Sequence, residues 1–278
     1  MATSLPLPVV TEAPPTAEGW YILHDQWRLD WACLRHLESR DRELLANAAS
    51  LWLTDHAKCD GDSACYALTG QKGDLLFLHY RRTLADLLAV QTAFRRSHLH
   101  EYLRPAGGFV SVVEVSLNEA TAIAQGRLAS QGIKPGDEQY QALFDAEQAK
   151  HRSVLEGRLW RPIPPHPHLC WYPMSKRRGE HKNWYALTSE ERRQLMRGHG
   201  RVGHRFHQQV VQVIGGSIGF DDWEWSVDLH AEDPMVFKKL VTEMRFDPVS
   251  AWYADFGEFV LGQRLNADGL HALISASG

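Results

Sequence analysis

The spacing of apolar and polar residues changes along this chain, and each change of period marks an element. "WYILHDQWRLDW" (20–31) opens with large and β-branched residues and predicts a strand. A helix follows from about Asp30 through "ACLRHLESRDRELLANAASLWLTD". "ACYALTGQKGDLLFLHY" (64–80) predicts two strands around a glycine turn, and "TLADLLAVQTAFRRS" (83–97) has the helical period. "GGFVSVVEVS" (107–116) alternates valine with polar residues, the period of a strand with one buried face.

The second half repeats this order. "HLCWYPM" (168–174) predicts a strand, "TSEERRQLMRGHGRVGHRFHQQ" (188–209) a helix, and "VVQVIGGSIGFDDWEWSVDLHA" (210–231) two strands around a glycine turn. "DPMVFKKLVTEMRF" (233–246) predicts a helix and "FGEFVLGQRL" (256–265) a last strand. Trp20 and Cys170 stand 150 residues apart, and Gly73 and Gly219 stand 146 apart. The expected fold is therefore α+β, with two ferredoxin-like β-α-β-β-α-β halves of the dimeric α+β barrel type. Their antiparallel sheets can pair face to face or edge to edge.

The expected organisation is a disordered tail over 1–18, a first half over 19–157 and a second half over 158–278. A charged helical segment (137–159) and an extended proline-rich connector, "RPIPPHPH" (161–168), lie at the junction. "QGRLASQGIKPGDEQ" (125–139) reads as an exposed insertion.

Hydrophobic residues make up 44% of the 278 positions and charged residues 23%, a globular balance; a net charge of −4 gives no broad pull toward nucleic acid or membrane. The first 18 residues hold no lysine or arginine, so they do not read as a secretory signal, and no run of 18 apolar residues predicts a membrane span. Cys33, Cys59, Cys65 and Cys170 form no C-x-x-C pair, which points to a reduced, cytoplasmic setting. Ten tryptophans suit either a well-packed core or the burial of something large and flat.

Candidate chemistry concentrates in "RGHGRVGHRFHQQ" (197–209), with His199, His204 and His207. Thr188 and Glu191 have capping-box spacing, so a helix starts there. On its wheel Leu195, His199, Val202 and Phe206 fall within about 60° of one another. His204 lies roughly opposite, and His207 is about 80° from His199, so a regular helix cannot aim all three at one ion. His199 alone has two readings: a core histidine satisfied by a nearby acceptor, or a single imidazole on iron in an apolar pocket. Gly198 and Gly200 let a flat ligand approach the helix closely. In "CWYPMSKRRGEHKNWY" (170–185), Tyr172, Met174 and Lys176 share one face of a strand, either as core beside a solvated turn or as a redox-active phenol beside a cation. Arg158 and Arg245 are either surface ion-pair partners or cations for a ligand with several carboxylates.

Five separated motifs, in order, resemble one family: "RLWRPIP" (158–164), "YPMSKRR" (172–178), "NWYALTSEERRQLMRGHGRVG" (183–203), "GGSIGFDDWEWSVDL" (215–229) and "VTEMRFDPVSAWYADFGEFVLGQRL" (241–265). They look like the chlorite dismutase family, specifically its coproheme decarboxylase branch of bacterial heme biosynthesis. The resemblance spans Gly19 to Leu265 and implies a homopentameric ring with the porphyrin in the second half. The reaction it implies is oxidative decarboxylation of two propionates of iron coproporphyrin III (coproheme) to vinyls. Heme b is the product and hydrogen peroxide the oxidant. Coproheme is then both substrate and redox cofactor, and the ferrochelatase that delivers it is an implied transient partner.

By motif position, His199 matches the axial iron ligand and Tyr172 the catalytic tyrosine. The coproheme-binding positions are Arg158, Tyr172, Pro173, Met174, Ser175, Lys176, Gln212, Arg245 and Ser250. Gln212 matches the position over the iron where chlorite-degrading members place an arginine, and a neutral amide there argues against chlorite chemistry. A tyrosine that some decarboxylases carry after the "SVVE" strand is missing from "SVVEVSLNEA" (111–120). Chlorite dismutation and non-enzymatic heme carriage are the alternatives.

Overall fold

A computed structural model describes residues 13–57 and 60–276. Strand β1 (Thr16–Leu29) leads into two short-coupled helices, α1 (Trp31–His36) and α2 (Ser39–His56). Strands β2 (Asp62–Thr69) and β3 (Leu75–Arg81), helix α3 (Leu84–Arg95) and strand β4 (Leu103–Ser116) complete the first half. A helical hairpin follows, α4 (Asn118–Ser130) and α5 (Tyr140–Leu159). The second half runs β5 (His168–Lys176), α6 (Ser189–His204), β6 (Val211–Gly216), β7 (Trp225–Ala231), α7 (Met235–Arg245), α8 (Pro248–Tyr253), β8 (Ala254–Phe256), β9 (Val260–Leu265) and α9 (Ala267–Ser275).

The strands form one large antiparallel sheet. The first four lie in the order β4-β1-β3-β2, and four of the later ones repeat it as β9-β5-β7-β6. The two sets meet edge to edge. β2 pairs with β9 from Cys65↔Leu265 to Thr69↔Leu261, and β4 pairs with β6 at Val112↔Gly216 and Val113↔Gly215. The eight strands thereby close into a ring, which removes exposed sheet edges. The glycine pair of "IGGS" sits at the shorter joint. A Cβ on Gly215 would collide with Ser111 and Ser226, so glycine there lets the strands approach, while one on Gly216 would only displace the end of the Glu114 side chain.

Alternation along the strands sorts side chains to the inside or outside of the ring. Inside, apolar residues such as Ile22, Leu78, Phe109, Leu169 and Val213 pack together. Polar groups also cross the interior: His24 Nε2 lies 2.8 Å from Asp228 Oδ1, and the His24 ring stacks on Trp171 at 4.6 Å. Outside the first half, Trp27, Trp52, Phe77 and Phe94 form a core with α2, α3 and α9. Outside the second half, Cys170, Tyr172, Val227 and Leu229 pack against Val236, Phe237 and Leu240 of α7. Trp20, Trp27, Trp52, Trp171 and Trp184 are buried, so half of the ten tryptophans pack as core.

Several boundaries differ from the sequence expectation. Thr16, Ala17 and Glu18 do not belong to a tail: they pair with Ser116, Val115 and Glu114 and extend β1. Residues 1–12 and Cys59 lie outside the described residues. The helix expected from Asp30 breaks at Leu37, which is extended. The stretch expected as an exposed insertion, 125–139, is exposed apart from Leu128 and Ile133, and it is helical through Ser130 because α4 packs along α5 as a hairpin. The helix expected through Gln209 ends at His204, because Phe206 turns into the α7 core and the chain tightens around it.

Candidate functional site

The outer face of the second half presents ordered rows. Tyr172 pairs with Val227, which pairs with Ile214; Cys170 pairs with Leu229, which pairs with Gln212. Paired residues point the same way, so Tyr172 and Gln212 share this face, two strands apart. Met174 and Lys176 continue along β5 on the same side. Pro173 and Ser175 point the other way. Pro173 lines a different cavity, and Ser175 Oγ accepts from the Glu224 N–H at 3.2 Å.

Tyr172 is buried, with its ring stacked on Phe259 at 4.3 Å and tilted against Phe256 at 5.9 Å. Desolvation raises its phenol well above the ordinary range, so it stays neutral at physiological pH. The Arg245 guanidinium lies 3.9 Å from the Phe256 ring centre, on the same aromatic cluster.

Lys176 sits where β5 turns to pair with β8, and its ammonium lies 4.4 Å from the Trp184 ring centre. Burial lowers its pKa to about 8, while Asp247 and Glu224 pull it back upward. Its backbone N–H donates to Glu224 Oε2 at 2.6 Å.

Helix α6 carries the histidine. Thr188 caps it, and the reciprocal contact with Glu191 completes the capping box expected from the sequence. None of its residues is fully buried, although the helix is strongly amphipathic. Leu195 packs on the small Trp184–Val249–Tyr253 cluster. His199 is 27% exposed, and its Nδ1 lies 2.8 Å from Asp247 Oδ2. A carboxylate only accepts, so Nδ1 carries the proton and Nε2 keeps its lone pair. Desolvation lowers the His199 pKa despite the pull of Asp247, with Lys176 adding to the lowering, and a neutral imidazole results. Asp247 touches His199 and acts on Lys176, so α6, β5 and the loop before α8 converge.

Gly198 and Gly200 flank His199 without packing partners: no heavy atom lies within 4 Å of where a Cβ would stand. His204 and His207 are exposed and stack on each other at 4.4 Å. His207 Nδ1 approaches the His204 carbonyl at 2.7 Å. Among the described residues no three His, Cys, Asp or Glu side chains group as a metal site. Gln212 is exposed on β6 and lines a cavity of about 120 Å³ with Arg158 and Arg161 from the end of α5. Ser250 is buried in α8, and its N–H donates to Asp247 Oδ2 at 3.3 Å.

Residues 42–265 match the family model described as chlorite dismutase. The chain belongs to the chlorite dismutase family. A heme-binding protein of Thermus thermophilus has a solved structure that superposes with a TM-score of 0.81 at 35% identity, covering 96% of this chain and 99% of that one. A Natronomonas pharaonis protein, named as heme-binding, is 38% identical over 95% of this chain. This chain spans only 42% of that protein's length. A chlorite dismutase variant from Candidatus Nitrospira defluvii shares the fold at 19% identity, with a TM-score of 0.68 and coverage of 94% and 97%.

In this family member the sequence reading missed the groups that hold the site residues. Asp247 is the main one. Its signal was "FDPVS", an acidic residue before a proline, which is the start of a helix. That pattern announces a cap and gives no hint of a histidine 48 residues earlier. Phe256 and Phe259, which pack on Tyr172, read only as part of a last strand, with no sign of that contact.

Proposed function

We propose that this family member is a hydrogen peroxide-dependent coproheme decarboxylase, converting two propionates of iron coproporphyrin III to vinyls and yielding heme b. The observation that carries this reading is a neutral His199 on α6, oriented by Asp247 and close enough to Lys176 to feel its charge, at the end of the β5 face that also carries the neutral, buried Tyr172. The donor set fits an iron porphyrin. One imidazole with Nε2 free is a heme ligand, whereas a bare metal ion would ask for more ligands than the described residues group together.

Bound at His199, the iron porphyrin supplies the redox chemistry with peroxide. In each round a propionate, one peroxide and one proton become a vinyl, carbon dioxide and two waters. Tyr172 would pass one electron and its phenolic proton to the oxidising equivalents of peroxide and recover a hydrogen atom from the propionate β-carbon. The second electron would leave as the bond to carbon dioxide breaks and the vinyl forms, so each round uses both equivalents of one peroxide. Its aromatic packing fixes the ring, so position decides which propionate reacts. Lys176, with Arg158, Arg245 and Ser250, offsets the desolvation of the carboxylates; Met174 packs beside the macrocycle, and Pro173 and Ser175 contribute through the β5 backbone. Gln212, on the same sheet face as Tyr172, would offer bound iron porphyrin a neutral amide, which does not supply the charge that chlorite chemistry uses.

The repeated strand order supports two ferredoxin-like halves, with the second holding coproheme. No described helix is long and apolar enough to cross a membrane. The reading extends to a homopentamer in the cytoplasm that receives coproheme from a ferrochelatase. The test is to load the apo-protein with iron coproporphyrin III, add peroxide and follow the product by mass. Loss of two carboxyl groups per porphyrin is expected. Reversible binding without turnover would indicate a heme carrier instead, and rapid oxygen release from chlorite would indicate a dismutase.

A further inference from the structure

A second cavity, of about 650 Å³, opens at one end of the strand ring, on the opposite face of β5 from Tyr172. Its floor is the inner surface of the ring, where Gln26, Phe109 and Trp171 are all buried. Trp223 and Phe256 form its aromatic walls, and Asp221, Asp222 and Glu258 stand at its rim. The volume is that of a small-molecule site.

The charge of this cavity is one-sided. Its lining contains no lysine, arginine or histidine, and the Arg245 guanidinium lies on the Phe256 ring and leaves Trp223 as the wall open to a cation. Among the described residues none of the three carboxylates has an ion-pair partner, and the neighbouring Lys72 ammonium is taken by the Phe259 carbonyl at 2.7 Å. Carboxylates around a low-dielectric concavity focus negative potential, and aromatic faces attract cations. A second, independent feature points to a ligand. The Gln26 side chain is 7% exposed, makes no hydrogen bond with any described residue, and lines the cavity. Its Oε1 lies 2.9 Å from where a Cβ on Gly107 would stand, so glycine at the rim keeps room for the amide. A nearly buried amide without a partner is costly unless a ligand or solvent satisfies it.

We propose that the mouth of the ring binds a small organic diammonium ion. One ammonium lies against the Trp223 wall and donates to Gln26 Oε1, and both are balanced by Asp221, Asp222 and Glu258. A hard metal ion does not suit aromatic walls, and an anion does not suit the rim. Its floor lies inside the ring, on the other side of β5 from Tyr172, and its wall residue Phe256 also packs against Tyr172.

The test uses the full chain and 1,4-diaminobutane, titrated by calorimetry and by ligand-observed NMR at low ionic strength. A second titration uses the bis(trimethylammonium) analogue, which has the same charge and no N–H donors. The expected result is saturable one-to-one binding of the diamine, weaker binding of the analogue, and affinity lowered about tenfold in the exposed-rim double variant Asp222→Asn/Glu258→Gln. No saturable binding, equal affinity for the donor-free analogue, or an unchanged double variant would each overturn the proposal.

Discussion

The carboxylate of Asp247 holds His199 Nδ1 at 2.8 Å and, through the same oxygen, accepts the backbone N–H groups of Val249 and Ser250 at 3.1 and 3.3 Å. One buried oxygen thus fixes the imidazole and the start of α8 together. Asp247→Ala removes both roles and is expected to destabilise the apo-protein by about 1–2 kcal/mol in denaturant unfolding. Asp247→Asn keeps an oxygen for the helix cap but removes the charge. It is expected to retain most of the stability, to lower the ferrous iron–histidine stretching frequency and to raise the reduction potential of the bound porphyrin. Unchanged spectra in the Asn variant would remove the electrostatic role.

Tyr172→Phe keeps the ring that stacks on Phe259 and removes only the hydroxyl. Stability is expected to change by less than about 1 kcal/mol, because the volume is conserved. Coproheme absorbance is expected to stay, while peroxide-driven loss of carboxyl groups stops. A Phe variant that still converts coproheme would end the hydrogen-atom role.

Lys176 gives a pH dependence with a defined sign. Burial puts its pKa near 8, against an ordinary value of about 10.4 in the unfolded chain. Between these values the unfolded chain binds the extra proton, so the lysine's contribution makes apo-protein stability rise with pH from about 8 to about 10.4. Coproheme binding runs the other way. The propionates stay ionised while the ammonium is lost, so affinity is expected to fall as pH rises through about 8. Titrations of the wild type and Lys176→Met check this; the variant is expected to lose both trends.

His204, the last residue of α6, and His207 stack on each other at the surface, away from the Asp247 contact that holds His199. Replacing both with alanine is expected to leave the Soret spectrum of the loaded protein unchanged, while His199→Ala shifts it. A Soret change in the double variant would reopen the question of which histidine binds iron.

Among the candidate site residues, those on α6 and β5 were legible from local periodicity, whereas Arg158, Gln212, Arg245 and Ser250 rested on the family resemblance. The 3.6-residue period put His199 on the apolar stripe of α6 and turned His204 and His207 away, and the structure keeps that separation. The two-residue period put Tyr172, Met174 and Lys176 on one face of β5. The structure turns Pro173 and Ser175, expected among the coproheme-binding positions, to the opposite face. The repeat of elements along the chain is matched by the repeated strand order in the sheet. Thr16–Glu18 were less legible: a polar, proline-flanked start reads as a tail until β4 arrives to pair with it.

By itself, then, the sequence determined which residues lie on which face of each helix and strand, because those periods are properties of the local backbone. Tertiary structure alone decided that the halves join edge to edge, with Gly215 giving the room at the β4–β6 joint. It also decided that Asp247 meets His199 and that Phe259 lies on Tyr172. Those contacts join residues far apart in the chain, and no local period carries them: they exist only once burial of the apolar faces has closed the ring and brought α6, α8 and β5 together.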